Sequence, residues 1–156
     1  MIYKYNLVIS GTAFFPEKIM SKTQGNFIID SYFSPNDKKF FNSSDENGYG
    51  NMIFFHPLKF STQESISEYE KGFIEFIGYN YQLFIDNGVE DILIFMEIYF
   101  DEGQCNFEIF NKILLKKLAQ YGVSLPISIY ILQKEEFYEW ENEIKREWSA
   151  IKGNAN

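Results

Sequence analysis

From Ile2 to Ser10 apolar and polar residues alternate, which reads as a strand, and Pro16-Glu17-Lys18 then marks the start of a short helix whose first turn tolerates a proline. Asn26 to Phe33 and Tyr49 to Phe55 are aromatic and isoleucine-rich, with turn-forming residues between them, and predict two more strands. The period then changes from two to between three and four. Ile66, Tyr69, Phe73, Phe76, Ile77 and Phe84 mark one face of a long helix, opened by a capping box at Ser61-x-x-Glu64 and closed by a left-handed cap at Asn87-Gly88. Gly72 and Gly78 inside it each cost about 1 kcal/mol relative to alanine and so point to close packing or a bend.

Glu90 to Glu102 and Gln104 to Ile109 alternate again and predict a hairpin about Gly103. With a two-residue turn at Glu102-Gly103, Ile98 faces Phe107 and Met96 faces Ile109, while Tyr99 faces Asn106 and Glu97 faces Glu108. Asn111 is placed to cap a helix from Lys112 to Tyr121 that Gly122 stops. Val123 to Ile131 alternates as a further strand, with Pro126 pointing to an edge or a bulge, and Glu135 to Ile151 is a helix with acids first and bases later. The sum is an α+β fold: a mainly antiparallel sheet of about six strands covered by about four helices, in one domain over residues 1–152, with a disordered tail at 153–156. The inward-facing set is Ile92, Ile94, Met96, Ile98, Phe107, Ile109, Leu114, Leu118, Ile127, Ile129, Trp140 and Trp148.

Charge changes this picture in one place. Eight acids and no Lys, Arg or His lie between Gly72 and Asn111, whereas the rest of the chain balances 14 acids against 14 bases; that segment carries the whole net charge of −8. A cationic partner is the first inference. Only one of the 14 bases is an arginine and the pI is near 4.7, which argues against nucleic-acid binding. Apolar runs such as Ile92 to Met96 are far too short for a helical membrane span. The amino end does not read as a signal peptide and Cys105 is the only cysteine, so a cytoplasmic location is expected.

The residue types that carry chemistry are scarce. His56 has no Ser, Cys or Asp near it in sequence to complete a nucleophile arrangement, Cys105 alternates in phase with Phe107 and Ile109 as a buried small hydrophobe, and Gly48-Tyr49-Gly50 lacks the rest of a phosphate loop. No catalytic residue, metal site or cofactor is expected. The carboxylates remain. In the hairpin register Glu97 and Glu108 oppose each other with like charge, and Asp91 and Asp101 share the Glu97 face with Phe95 and Tyr99. A surface of acids interleaved with aromatics suits Lys or Arg side chains of a partner, and Asp91, Glu97, Tyr99, Asp101, Glu102 and Glu108 are its candidate residues. The opposing reading is that lysines from a neighbouring strand, or Lys112, Lys116 and Lys117, neutralise these acids within the fold.

The run from Gln104 to Tyr130, QCNFEIFNKILLKKLAQYGVSLPISIY, resembles the carboxyl-terminal half of a family of small bacterial domains of unknown function, with a strand, a Leu-rich helix ending in Gly, and a strand closing on Tyr. The resemblance rests on packing residues and implies fold more than activity. Members occur near toxin systems, which implies a non-enzymatic immunity protein that neutralises a basic, nuclease-like toxin domain through the acidic hairpin. The alternative is a small-ligand or regulatory domain with an aromatic-lined cleft.

Overall fold

The computed structural model describes residues 1–39, 44–101 and 106–153. In chain order they form β1 (Ile2–Gly11), a 3-10 turn (Pro16–Lys18), β2 (Ile28–Phe33), β3 (Gly50–Phe55), β4 (Ser61–Thr62), α1 (Ile66–Asp86), β5 (Asp91–Phe100), α2 (Lys112–Gln120), β6 (Ile127–Ile131) and α3 (Lys134–Gly153). The fold is mixed α and β with a six-stranded sheet and three α-helices; the fourth helix expected at Pro16 is a single 3-10 turn. Strand order is β2-β3-β1-β5-β6, with β4 also on β1, and every pairing is antiparallel except β5 with β6.

One edge of β1 is shared. Asn6 to Gly11 pair with β3, Ile2 and Tyr3 pair with β4, and the chain leaves the sheet between the two. In the gap the Tyr69 hydroxyl of α1 accepts the Tyr5 amide at 3.0 Å and donates to the Lys59 carbonyl at 2.8 Å, standing in for a missing strand.

The strand alternation sets two faces. Tyr3, Tyr5, Leu7 and Ile9 of β1, Met52 and Phe54 of β3, and Ile92, Ile94, Met96 and Ile98 of β5 are buried beneath Tyr69, Phe73, Phe76, Ile77 and Phe84 of α1. The helical glycines serve this packing: a Cβ on Gly72 would sit 3.1 Å from the His56 ring, and one on Gly78 would sit 2.9 Å from the Tyr121 hydroxyl. The Ser61-x-x-Glu64 box does not cap α1. Ser61 lies in β4 with its hydroxyl 2.8 Å from that of Ser65, and Ser65 occupies the N-cap position without a side-chain cap bond. The other caps match the sequence, with Asn111 Oδ1 accepting from the amides of Ile113 and Leu114, and positive φ at Gly88 and Gly122.

The predicted hairpin does not form. Both edges of β5 are occupied, one by β1 along nearly its whole length and the other by β6 in parallel, so no edge remains for residues 104–109. Its turn, including Glu102 and Cys105, lies outside the described residues, and residues 106–109 are not in a strand. Phe107 and Ile109 instead pack against the main core as half-buried loop residues. The chain then turns through Phe110, a non-glycine residue at φ +47°, whose buried ring stacks on Tyr5. The strand count is nevertheless six, because the two-residue β4 takes the missing place.

The expected core needs a second correction. Ile92, Ile94, Met96, Ile98 and Leu118 are buried, and Phe107, Ile109, Leu114, Trp140 and Trp148 are half-buried, but Ile127 and Ile129 are exposed. They sit on the last strand of the sheet, where among the described residues no second strand pairs the outer edge. The expected tail begins inside α3 at Gly153, and residues 154–156 lie outside the described ones.

Candidate functional site

The second face of the sheet carries Ile2, Lys4, Asn6, Val8 and Ser10 of β1, Asn51, Ile53 and Phe55 of β3, and Asp91, Leu93, Phe95, Glu97 and Tyr99 of β5. Helix α3 closes only one end of it. Phe137, Ile144, Trp140 and Trp148 bury Ile2 together with Phe60 and Tyr99, and the Trp148 indole donates to the Phe60 carbonyl at 2.8 Å. Beyond that end, the residues from Lys4 to Ser10 and their neighbours stay half-exposed.

At the boundary four rings meet. Tyr99 stacks on Tyr130 of β6 at 5.1 Å and lies against Trp140 of α3 at 5.0 Å, while Trp140 meets Phe60 edge-on at 4.7 Å. The α-helical spacing of Glu136, Glu139, Trp140 and Glu143 puts all four on one side of α3, where they line an open groove of about 350 Å³. The aromatic corner therefore borders three carboxylates, an arrangement suited to ammonium or guanidinium groups.

Glu97 is neutralised within the fold. Lys4 stands opposite it on β1, with Nζ 2.6 Å from Glu97 Oε2, and the Tyr99 hydroxyl donates to the same oxygen at 3.2 Å. Burial and the adjacent Glu97 carboxylate push the Tyr99 phenol up to about 12. The opposition of Glu97 and Glu108 is thus replaced by a lysine–glutamate pair, as the opposing reading of the sequence had it. Asp91 shares the face but is exposed at the far end of β5, about 20 Å away at roughly 3.3 Å per residue. Asp101 is half-buried just past the strand, and Glu108 is exposed on the segment leading to α2. Glu97 and Tyr99 come together; Asp91 and Glu108 stand apart, and Glu102 lies outside the described residues.

Three features escaped the sequence reading. The acids of α3 were balanced on paper by its bases, although the spacing of Glu136, Glu139, Trp140 and Glu143 carries the signal. Asn6 lies between Phe55 and Phe95 on adjacent strands, and its side-chain oxygen is buried without a hydrogen-bond partner among the described residues. Glu70 is only 4% exposed, and its Oε1 accepts the Phe110 amide at 2.7 Å and the Tyr5 hydroxyl at 3.3 Å. Burial raises its carboxyl to about 6, opposed by those two hydrogen bonds and reinforced by Glu108.

His56 is a packing residue. Its ring stacks on Trp148 and Phe73 and meets Phe27 and Tyr69 edge-on, Nδ1 lies 3.1 Å from the Leu58 amide, and burial lowers its pKa and favours the neutral form. Among the described residues no three His, Cys, Asp or Glu side chains are grouped to hold a metal ion, and no described helix is long and apolar enough to cross a membrane. Two narrow clefts are small: about 100 Å³ between the turn from β4 to α1 and helix α3 beside Trp148, and about 90 Å³ beside His56 and Phe27. Both fall well below the roughly 300 Å³ at which small-molecule sites begin. In comparisons with known proteins, the chain matches no protein-family model, no curated protein and no solved structure.

Proposed function

We propose that this chain is a non-enzymatic binding protein of the immunity type, which neutralises a basic toxin domain by engaging it at the corner where β5, β6 and α3 meet. The observation that carries the reading is the Tyr99–Trp140–Tyr130 cluster bordered by Glu136, Glu139 and Glu143. Half-buried aromatics supply contact area at little conformational cost, and the carboxylates select and steer cationic side chains. The surface is an open groove along α3, which fits a protein partner better than a small ligand. It replaces the acidic hairpin as the seat of the same activity. The reading takes the chain as non-enzymatic, with its one histidine packed among aromatic rings where burial lowers the pKa.

The test pairs this chain with each basic protein that a neighbouring gene encodes. Co-expression should restore growth of cells producing that protein, and calorimetry should show a complex that weakens with salt. Replacing Glu136, Glu139 and Glu143 together by Gln should slow association about 10-fold or more at low salt, and Trp140→Ala should raise the dissociation rate. A complex indifferent to both variants removes the corner as the binding site, and no complex with any basic neighbour removes the immunity reading.

A further inference from the structure

The two edges of the sheet are built differently. At one end β2 is guarded: it carries Asp30, and its register with β3 shifts between Ile29 and Ser31, a bulge that spoils further pairing. At the other end β6 carries none of these devices. Residues 123–133, VSLPISIYILQ, hold no charged side chain in a chain whose net charge is −8. Pro126 lies just before the strand and uses its carbonyl toward β5, so it removes no donor from the outer edge. The inner edge is fixed by the Ser124 amide and carbonyl, the Pro126 carbonyl and the Leu132 amide, all bonded to β5. Alternation then points the amides and carbonyls of Ile127, Ile129 and Ile131 outward. The same three residues are 47%, 53% and 73% exposed. Among the described residues no strand pairs the outer edge, so an open ladder edge and an exposed isoleucine row coincide on one five-residue strand.

We infer that β6 is a pairing edge for a second copy of this chain, the two strands running antiparallel about a two-fold axis at Ile129. The strand is self-complementary in that register. Ile129 meets Ile129, Ile127 meets Ile131 and Ile131 meets Ile127, all at hydrogen-bonded positions, while Ser128 meets Tyr130 on the other face. Six backbone hydrogen bonds form and no like charges are opposed. A charged peptide finds no counter-ion within residues 123–133, whereas the strand's own copy matches its neutrality and its spacing. The contact shares Tyr130 with the α3 corner but uses neither Trp140 nor the three glutamates there. One five-residue strand supplies less than the roughly 800 Å² per partner of a standard interface, so the dimer is weak, with a dissociation constant on the order of 100 µM.

Sedimentation of the purified protein from about 10 µM to about 1 mM should show a monomer–dimer equilibrium in that range. Ile129→Lys places two ammonium groups face to face on the axis and should leave a monomer at every concentration, with an unchanged melting temperature because the side chain is solvent-facing. Cysteine variants in a Cys105→Ser background fix the register. Ile129→Cys should form a disulfide dimer on oxidation, its two Cα atoms lying about 5.5 Å apart, within disulfide reach. Ile127→Cys and Ile131→Cys should each fail alone and cross-link when mixed. The inference is overturned by a monomer throughout, by a dimer that survives Ile129→Lys, or by self-cross-linking at 127 in place of 129.

Discussion

Glu70→Gln isolates the energetic consequence of a carboxyl group held inside the core. Glutamine keeps the shape, and its one carbonyl oxygen, set where Oε1 stands, can go on accepting both the Phe110 amide and the Tyr5 hydroxyl. The carboxyl is raised from 4.5 to about 6, chiefly by burial. Between those values the folded chain holds a proton that the unfolded chain has released, so this residue's contribution to stability is full below the unfolded value and is lost as pH rises through about 6. At 1.36 kcal/mol per pH unit the loss is about 2 kcal/mol. Urea unfolding of wild type and variant, followed by tryptophan fluorescence at intervals from pH 4.5 to 7.5, separates this residue from the other titrating groups, because only the difference between the two proteins is read. That difference should move by about 2 kcal/mol in favour of the variant as pH rises, or about 1 M in urea midpoint. A difference that is flat with pH, or that moves the other way, would refute the account of Glu70 as a carboxyl strained by desolvation.

The other predictions use the same assay at neutral pH. Glu97→Lys sets two lysines opposite each other on β1 and β5 and should cost about 1–2 kcal/mol; restored stability in Lys4→Glu/Glu97→Lys would confirm the pairing. Asn6→Leu replaces an unpartnered buried oxygen with an apolar group of similar volume and should stabilise by about 1 kcal/mol; a clear loss would mean that the amide has a partner in solution. Tyr69→Phe strands the Tyr5 amide and the Lys59 carbonyl and should cost about 2 kcal/mol, with little effect if water can take the place of the hydroxyl.

Much of the fold was legible because period-two and period-3.6 patterns survive wherever one face is buried. β1, β5 and α1 are such elements, and the asparagine and glycine caps at Asn111, Gly88 and Gly122 act through local hydrogen bonds and dihedrals that need no tertiary context. The hairpin failed because alternation tells which residues share a face and nothing of which strand lies alongside. Residues 104–109 alternate like a strand, yet the partner of β5 is β6, reached only after α2 and bound in parallel. Ile127 and Ile129 failed for a related reason: they do share the face of Met96 and Ile98, but that face is uncovered at the sheet's end. The site was less legible than the fold. Counting acids along the chain gave a patch, whereas Lys4 and Glu97 meet across 93 residues of sequence, and Glu70 reads as an ordinary polar position in a helix until the segment at Phe110 closes over it.

The hydroxyl of Tyr69 in the ladder of β1 also ties the order of assembly together. A sheet strand is ordinarily complete once its neighbours are in register, but here two consecutive partners leave a gap that only a side chain from α1 can close. Helix docking is therefore a step in finishing the sheet, and the sheet cannot reach full hydrogen bonding while the helix is detached. Local opening that frees α1 must expose the Tyr5 amide, and the slow-exchanging protons of β1 should report on the helix as faithfully as on the strand. Barrier and stability would then be shared between the two layers, making them one cooperative unit whose weakest seam is a phenol oxygen.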